Sequence, residues 1–369
     1  MIRLSLHYVR AGMLLGRDIC GANGQVILAA GVRLNDKYLE LLRKWEITSV
    51  YISSPELELP VIGEMISPQL RAKTVKALKT AFATVAGRGL FQLADEEKQL
   101  IDNIVRQVVK EKASMLSLAQ ISRHQRDIFA HSVNVAVLAL MNAVALGYRA
   151  EGDLRKLAVG ALLHDIGKVF VPPPLLEKRE PLTEEEAEMV RSHTVSGFEV
   201  LRRIPGFSVV AAHVAYQHHE CYDGTGFPRG LAGEDISMFG RIVAIANAYD
   251  ELVTGRPAHK ALEAHAAYEC ILTGVGSSFD PQVARAFLAK IAVYPVGTVV
   301  KLTTGQTGVV SGVTPLLQHR PEIKVLIGDT GQRLVKPFVI DLADKENLTI
   351  FVDRVLSDRE KLAVIGWDE

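Results

Sequence analysis

Two short runs hold the densest chemistry in this chain: His164-Asp165-Ile166-Gly167-Lys168, and His218-His219-Glu220-Cys221-Tyr222-Asp223-Gly224-Thr225-Gly226-Phe227-Pro228. A structural helix has no use for so much imidazole and carboxylate, whereas both groups bring lone pairs to a divalent cation. An adjacent His and Asp can serve different cations, because a carboxylate has two oxygens and bridges where an imidazole cannot. The pair is therefore suited to two ions. Adjacent histidines on a helix diverge by about 100°, so one of His218 and His219 aims straight at a given ion and the other comes in from the side or from a frayed helix end. Upstream, Asp127 and His131 lie four residues apart in the helical run SRHQRDIFAHSVNVAVLAL, a spacing that puts both on one face.

HDxGK followed by HHExxDGxGxP is a specific combination. It is similar to the HD-GYP subfamily of the HD-superfamily metal-dependent phosphohydrolases, which hydrolyse cyclic di-GMP. The resemblance covers Asp127 to Pro281 and implies a helical domain whose cofactors are two divalent metal ions, Fe or Mn. The implied ligands are His131, set in the HSVNVA context; His164 on the first metal; Asp165 as the bridge; His193 for the second metal; and His218 with His219 to complete the set. Asn247, in RIVAIANAYD, stands where the family carries its last metal-binding Asp. It keeps a carbonyl oxygen but brings no charge. Asp250, one turn on, is the family's second acidic position, expected to orient a ligand or cap structure. Asp127 replaces a Glu that often contributes to a third metal; one methylene shorter, it argues against a third ion.

The chemistry the resemblance implies is phosphodiester hydrolysis. Two metals about 3.5–4 Å apart lower the pKa of a bridging water and stabilise the attacking and leaving oxygens. A hydroxide held against Asp165 attacks in line, opening the ring to linear pGpG, and a second round yields GMP. Lys168 has no lone pair to give a metal, so its expected work is catalytic: neutralising the scissile phosphate or protonating the leaving oxygen. Arg256, nine residues after Asn247, matches the family's phosphate-contacting Arg, whose paired N–H donors grip two oxygens. His259 stands where a second cation, usually Lys, is found, and an ordinary imidazole is mostly uncharged near neutral pH. Gly224 and Gly226 permit tight turns where side chains would block approach to a ligand, which makes Gly226 a substrate-binding candidate. Phe227 replaces the Tyr of GYP, keeping a ring to stack on guanine and losing the phenolic hydrogen bond. Glu220 is expected to hydrogen-bond a ligand His, and Asp223 to form a turn. Asn247, Phe227 and His259 together leave a second reading, a cyclic-dinucleotide receptor that hydrolyses slowly or not at all. A third is a phosphohydrolase of another nucleotide, such as a related cyclic dinucleotide.

The elements that must position these residues are mainly α. Residues 119–293 read as the helical HD-type catalytic domain, preceded by a small α+β N-terminal domain (1–60) and a helical connector (61–118), and followed by a small β-rich C-terminal domain (294–369). Asn23-Gly24 between apolar runs predicts a hairpin, with a helix after Asn35 and a last strand at 49–52. Gly87-Arg88-Gly89 splits the connector, which reads as a spacer or a dimerising helical pair. Pro172-Pro173-Pro174 is expected to end the helix containing His164, and Thr183-Glu184-Glu185-Glu186 predicts a capping box. Beyond Tyr294, alternating β-branched residues predict strands at 298–303, 308–313, 323–327 and 349–352.

Composition limits the partners. Lys plus Arg equals Asp plus Glu at 42 each, so the 369 residues carry no net field to recruit nucleic acid or an anionic membrane. No run reads as a bilayer-spanning helix, and MIRLSLHYVRAGMLL does not read as a signal peptide. Three scattered cysteines, Cys20, Cys221 and Cys270, fit a reducing cytoplasm. The expected partners are cyclic di-GMP and a second copy of the chain, through the connector or the flanking domains.

Overall fold

In the computed structural model, the described residues are 1–21, 24–45, 47–54, 57, 59–60, 65–89, 94–111, 127–255, 260–314 and 316–367. The N-terminal segment holds β1 (Ile2–Ser5), β2 (Leu14–Leu15), β3 (Ile19–Cys20), β4 (Val26–Leu28), α1 (Asp36–Lys44) and β5 (Ser49–Ser53). β5 lies between β1 and β2 in one antiparallel sheet, and β3 pairs with β4 in a second. Gly24 closes the β3–β4 turn at φ 76°, donating its N–H to Gly21; Asn23 lies outside the described residues. Asn35 starts α1 by accepting from the Tyr38 amide.

Eleven described helices follow: α2 (Pro68–Arg88), α3 (Asp95–Lys110), α4 (Ile128–Ala145), α5 (Glu151–Leu162), α6 (Pro173–Leu176), α7 (Glu184–Arg191), α8 (His193–Arg202), α9 (Val209–Gln217), α10 (Met238–Thr254), α11 (Ala264–Thr273) and α12 (Pro281–Leu288), with a 3₁₀ turn at Ile166–Phe170. Their starts carry ordinary cap chemistry. Ser67, Asp127, Ser208, Ser237 and Asp280 each accept a backbone N–H one turn in, and Thr183 with Glu186 forms the expected capping box. Gly89 ends α2 at φ 73°, a left-handed conformation that costs glycine nothing.

α4 is the hub, packing against α2, α3, α5, α10 and α12. It is apolar on all sides because all sides are covered. By length and composition Ile128–Ala145 could cross a membrane, a run that inspection of the sequence passed over, yet 78% of it is buried inside the protein. α2 and α3 pack on α4 and α5 as part of the same bundle, where a connector was expected.

The last segment holds β6 (Val299–Leu302), β7 (Thr307–Gly312), β8 (Glu322–Ile327), β9 (Arg333–Asp341), β10 (Val352–Val355) and α13 (Asp358–Val364). The sheet order is β10-β6-β7-β8-β9, antiparallel throughout. The alternation did not reveal β9: it is an exposed edge strand interrupted by Lys336 and Pro337, residues an edge tolerates and a central strand does not.

The described residues divide into two compact units, one formed by 1–60 with 292–367 and the other by 65–111 with 127–291. The two terminal segments, expected as separate domains, thus share a unit. They also share a core: Ile2, Leu4, Leu42 and Ile52 cluster with Val299, Val309, Leu362 and Val364. Leu4 is fully buried in that cluster, so Leu4→Ala should cost roughly 2–5 kcal/mol. Hydrogen exchange should accelerate in β1, β5 and α13 together, and protection that persists in α13 alone would show that the two segments fold independently.

Candidate metal centre

Backbone geometry delivers the HD pair. α5 ends at Leu162, so His164 and Asp165 lie in the turn before the 3₁₀ segment. The prolines were expected to end this helix; instead Pro173 occupies the first turn of α6, where a missing N–H costs nothing. His131 projects from the first turn of α4, and His193 opens α8. His218 is the C-cap of α9, with His219 just beyond it, which lets two adjacent rings leave the helix at different angles.

Four of the five histidines converge on Asp165. Asp165 Oδ2 lies 3.3 Å from His164 Nε2 and 3.8 Å from His131 Nε2. Its other oxygen, Oδ1, lies 3.4 Å from His193 Nε2 and 3.7 Å from His218 Nε2. The ligand atoms fall into two groups, His131, His164 and Asp165 in one and His193, His218 and His219 in the other, with all atoms of a group within 4.8 Å of one another. Asp165 is 1% exposed, and His164, His193 and His218 are as deeply buried.

Tautomers follow from the partners. His164 Nδ1 faces the Ala161 carbonyl at 2.7 Å, His193 Nδ1 faces that of Val190 at 2.5 Å, and His218 Nδ1 faces that of Ala215 at 3.0 Å. His131 Nδ1 meets Asp250 Oδ2 at 2.7 Å. Those oxygens only accept, so each Nδ1 carries the hydrogen and each Nε2 presents a lone pair. The buried Nε2 atoms of His131 and His164 and Oδ1 of Asp165 have no hydrogen-bond partner. His193 Nε2 and His218 Nε2 stand 3.4 Å apart, two lone pairs facing each other. Among the described residues, the buried His131 Nε2, His164 Nε2 and Asp165 Oδ1 thus face one another with no donor between them, an arrangement that fits cations.

The charges agree. Burial opposes ionisation of Asp165, but the Lys168 ammonium holds its carboxyl well below the usual range. Burial pushes His193 down to about 4 and His218 well below the ordinary imidazole value, so both rings keep their lone pairs at neutral pH. Lys168 Nζ donates to Asp165 Oδ2 at 2.6 Å.

Several expected site residues are placed elsewhere or otherwise. Asp127 is not drawn into either group: it caps α4 and pairs with Lys79 at 2.9 Å. Asn247 is buried on α10 one turn before Asp250, on the same helix face. Glu220 orients no histidine through the bonds seen here; its carboxylate accepts the Arg229 and Leu231 amides, both at 2.9 Å, and so folds the loop after α9. Asp223 makes the expected turn, accepting from the Thr225 amide and hydroxyl. Phe227, expected to stack on a base, lies against His219 at 4.7 Å between centroids and 20° between planes. Gly226 is pressed so closely on the backbone of His219, Glu220 and Cys221 that a β-carbon would overlap it. Arg256 and His259 lie outside the described residues.

Inspection of the sequence missed two supports. Asn134 Nδ2 donates to Asp250 Oδ1 at 2.9 Å, fixing the carboxylate that holds His131; its signal was a polar residue on an otherwise apolar helix. Gly167 lets the HD turn touch α8, since a β-carbon there would collide with the His193 carbonyl and the Gly197 amide; its signal was only its place inside HDIGK.

The family described as HD domain matches residues 97–283. The chain belongs to the HD domain family. A KOW domain associated with HD domains matches residues 299–363, the β-rich segment. Among curated relatives, the cyclic di-GMP phosphodiesterase PA4108 of Pseudomonas aeruginosa is 37% identical over 66% of this chain and 58% of its own length. The cyclic di-GMP phosphodiesterase response regulator RpfG of Xanthomonas campestris is 32% identical over 64% of each chain. The chain thus spans less than two thirds of either relative. The solved HDG"Y"P protein Bd1817 of Bdellovibrio bacteriovorus superposes with a TM-score of 0.53 at 18% identity, covering 78% of this chain and 98% of that one, a likeness of fold. HD phosphohydrolases use divalent metals, and the donor set described above fits them.

Gly167→Ala should push the HD turn away from α8 and lower bound metal at least several-fold while helicity is kept; elemental analysis alongside circular dichroism checks it. In the metal-free protein, NMR of His193 should give a midpoint of about 4, against the ordinary 6.5. Because the unfolded chain takes up this proton at higher pH than the folded chain, His193 lowers stability as pH falls from about 6.5 to 4 and levels off below, with a slope of at most ~1.4 kcal/mol per pH unit. A midpoint near 6.5 would contradict its burial.

Proposed function

We propose that the protein is a metal-dependent phosphodiesterase that opens cyclic di-GMP to linear pGpG and on to GMP. The observation that carries the reading is the pair of ligand groups on either side of one buried carboxylate, with the Nε2 atoms of His131 and His164 and Oδ1 of Asp165 unpartnered among the described residues. The relatives' names supply the substrate. We assign the first cation to His131, His164 and Asp165, and the second to Asp165 with His193, His218 and His219. Fe or Mn suits imidazole and carboxylate together. When bound, two such ions supply an activated water and neutralise charge on the phosphodiester.

The chain's own residues do the rest. Asp165, ionised at neutral pH, offers one oxygen to each group. Lys168 lies within bonding distance of that carboxylate, so its ammonium adds positive charge where an anionic phosphorus is attacked, and it holds the proton a leaving oxygen needs. Phe227 steadies His219 by stacking. Arg256 and His259 are assigned to the phosphates on the motif alone. The reading carries with it the cytoplasm, a homodimer and no nucleic-acid or membrane partner. Asn247 favours the second reading, a cyclic-dinucleotide receptor of low turnover, because it brings no charge to a buried position one turn before the Asp250 carboxylate that holds His131.

His164→Ala and Asp165→Ala should each lower cleavage of cyclic di-GMP by at least 100-fold, with helicity unchanged; product chromatography with added Mn²⁺ or Fe²⁺ reads it, and full activity in either variant refutes the assignment. Asn247→Asp restores the family's charged ligand and should raise metal occupancy or turnover several-fold. Metal content and rate that both stay put would remove position 247 from the ligand set.

A further inference from the structure

α2 reaches the ligand groups through a continuous hydrogen-bonded chain. Arg71 Nη1 donates to Asn134 Oδ1 at 2.6 Å, Asn134 Nδ2 donates to Asp250 Oδ1 at 2.9 Å, and Asp250 Oδ2 accepts from His131 Nδ1 at 2.7 Å. The order has one direction. A guanidinium only donates, so it holds the amide oxygen towards itself and leaves the amide N–H₂ for the carboxylate. Asn134 is 2% exposed and Asp250 fully buried, which leaves bulk water no access to replace a missing link.

A second grip lies further along the same helix. Lys79 pairs with Asp127 at 2.9 Å and sits 5.4 Å from the Phe129 ring centroid, and Phe82 meets that ring edge-on at 5.1 Å. α2 therefore holds α4 on either side of His131, at Asp127 and Phe129 before it and at Asn134 after it, and it also packs on the 3₁₀ turn that follows Asp165. Comparable links from α2 to His193 or His218 are not seen among the described residues; those rings are held by carbonyls of their own local segments.

We propose that α2 is the positioning element of the first cation group, with Arg71 as a positioning residue that acts through Asn134 and Asp250 on His131. A displacement of α2 then changes the affinity of the cation held through His131 and spares the grip of His193, His218 and His219 on the other, so that whatever moves this helix sets occupancy at one half of the centre. The proposal rests on the two-cation reading and is independent of which nucleotide is cleaved.

The test is a titration of the full chain, stripped of metal, with Mn²⁺ alone, counting free ion by electron paramagnetic resonance. Wild type should take up two ions. Arg71→Ala should keep one at the wild-type affinity and bind the other roughly 10- to 100-fold more weakly, the usual effect of losing a support behind a ligand histidine. Arg71→Lys should recover part of the loss, since an ammonium can donate to the same oxygen. In the metal-free protein, NMR should show the His131 Nδ1–H exchanging faster in Arg71→Ala while those of His193 and His218 stay unchanged. Two unaltered affinities in Arg71→Ala would overturn the proposal, as would equal weakening of both ions with a matching fall in Tm, the mark of general loosening. A wild-type protein that binds no Mn²⁺ defeats the two-cation reading itself and the proposal with it, an outcome the wild-type arm alone identifies.

Discussion

The structure depends on one ionised carboxylate kept almost wholly out of water. Stripping a carboxylate of solvent costs several kcal/mol unless partners replace its hydration, and Asp165 has one ammonium, four imidazole nitrogens within 3.8 Å and an unpartnered oxygen. Lys168 offsets part of that cost. The imidazoles cannot donate to it, because their hydrogens point outward to backbone carbonyls and to Asp250. The arrangement is under-satisfied as a protein core and well matched to cations, a compromise that a site built for metal accepts.

Much of the surrounding architecture serves to make the imidazoles acceptors. Three of the Nδ1 hydrogens are taken by carbonyls within the preceding turn, a local arrangement each segment completes by itself. His131 differs: its partner is Asp250 on α10, held in turn by Asn134 on α4. That half of the centre is assembled from separate helices and is the half most exposed to their relative movement. Close backbone approach does the remaining work, at Gly167 against α8 and at Gly226 against the turn after α9.

The departures from expectation share a cause. Asp127, Glu220 and Phe227 are types that bind metals, bases or histidines, and each is engaged by a neighbour that sequence distance hides: Lys79 for Asp127, the Arg229 and Leu231 amides for Glu220, and the His219 ring for Phe227. α2 and α3 looked like a connector because amphipathic spacing states that a helix has a partner without naming it. The terminal segments looked like two domains because a shared core built from Leu4, Leu42, Val309 and Leu362 leaves no trace along the chain.

The amino-acid sequence by itself determined the ligand types, the HD and HHE runs that place them, the helical character of the central region, the caps that start its helices and most strands of the C-terminal sheet. These are local properties, set by side-chain chemistry within a turn or two. Tertiary structure alone decided which oxygen of Asp165 faces which pair of imidazoles, which nitrogen of each ring keeps its hydrogen, and that a guanidinium on α2 stands at the end of the chain holding His131. Those choices belong to contacts between residues as far apart as His131 and Asp250, and packing has to bring such groups together before their hydrogen bonds can exist.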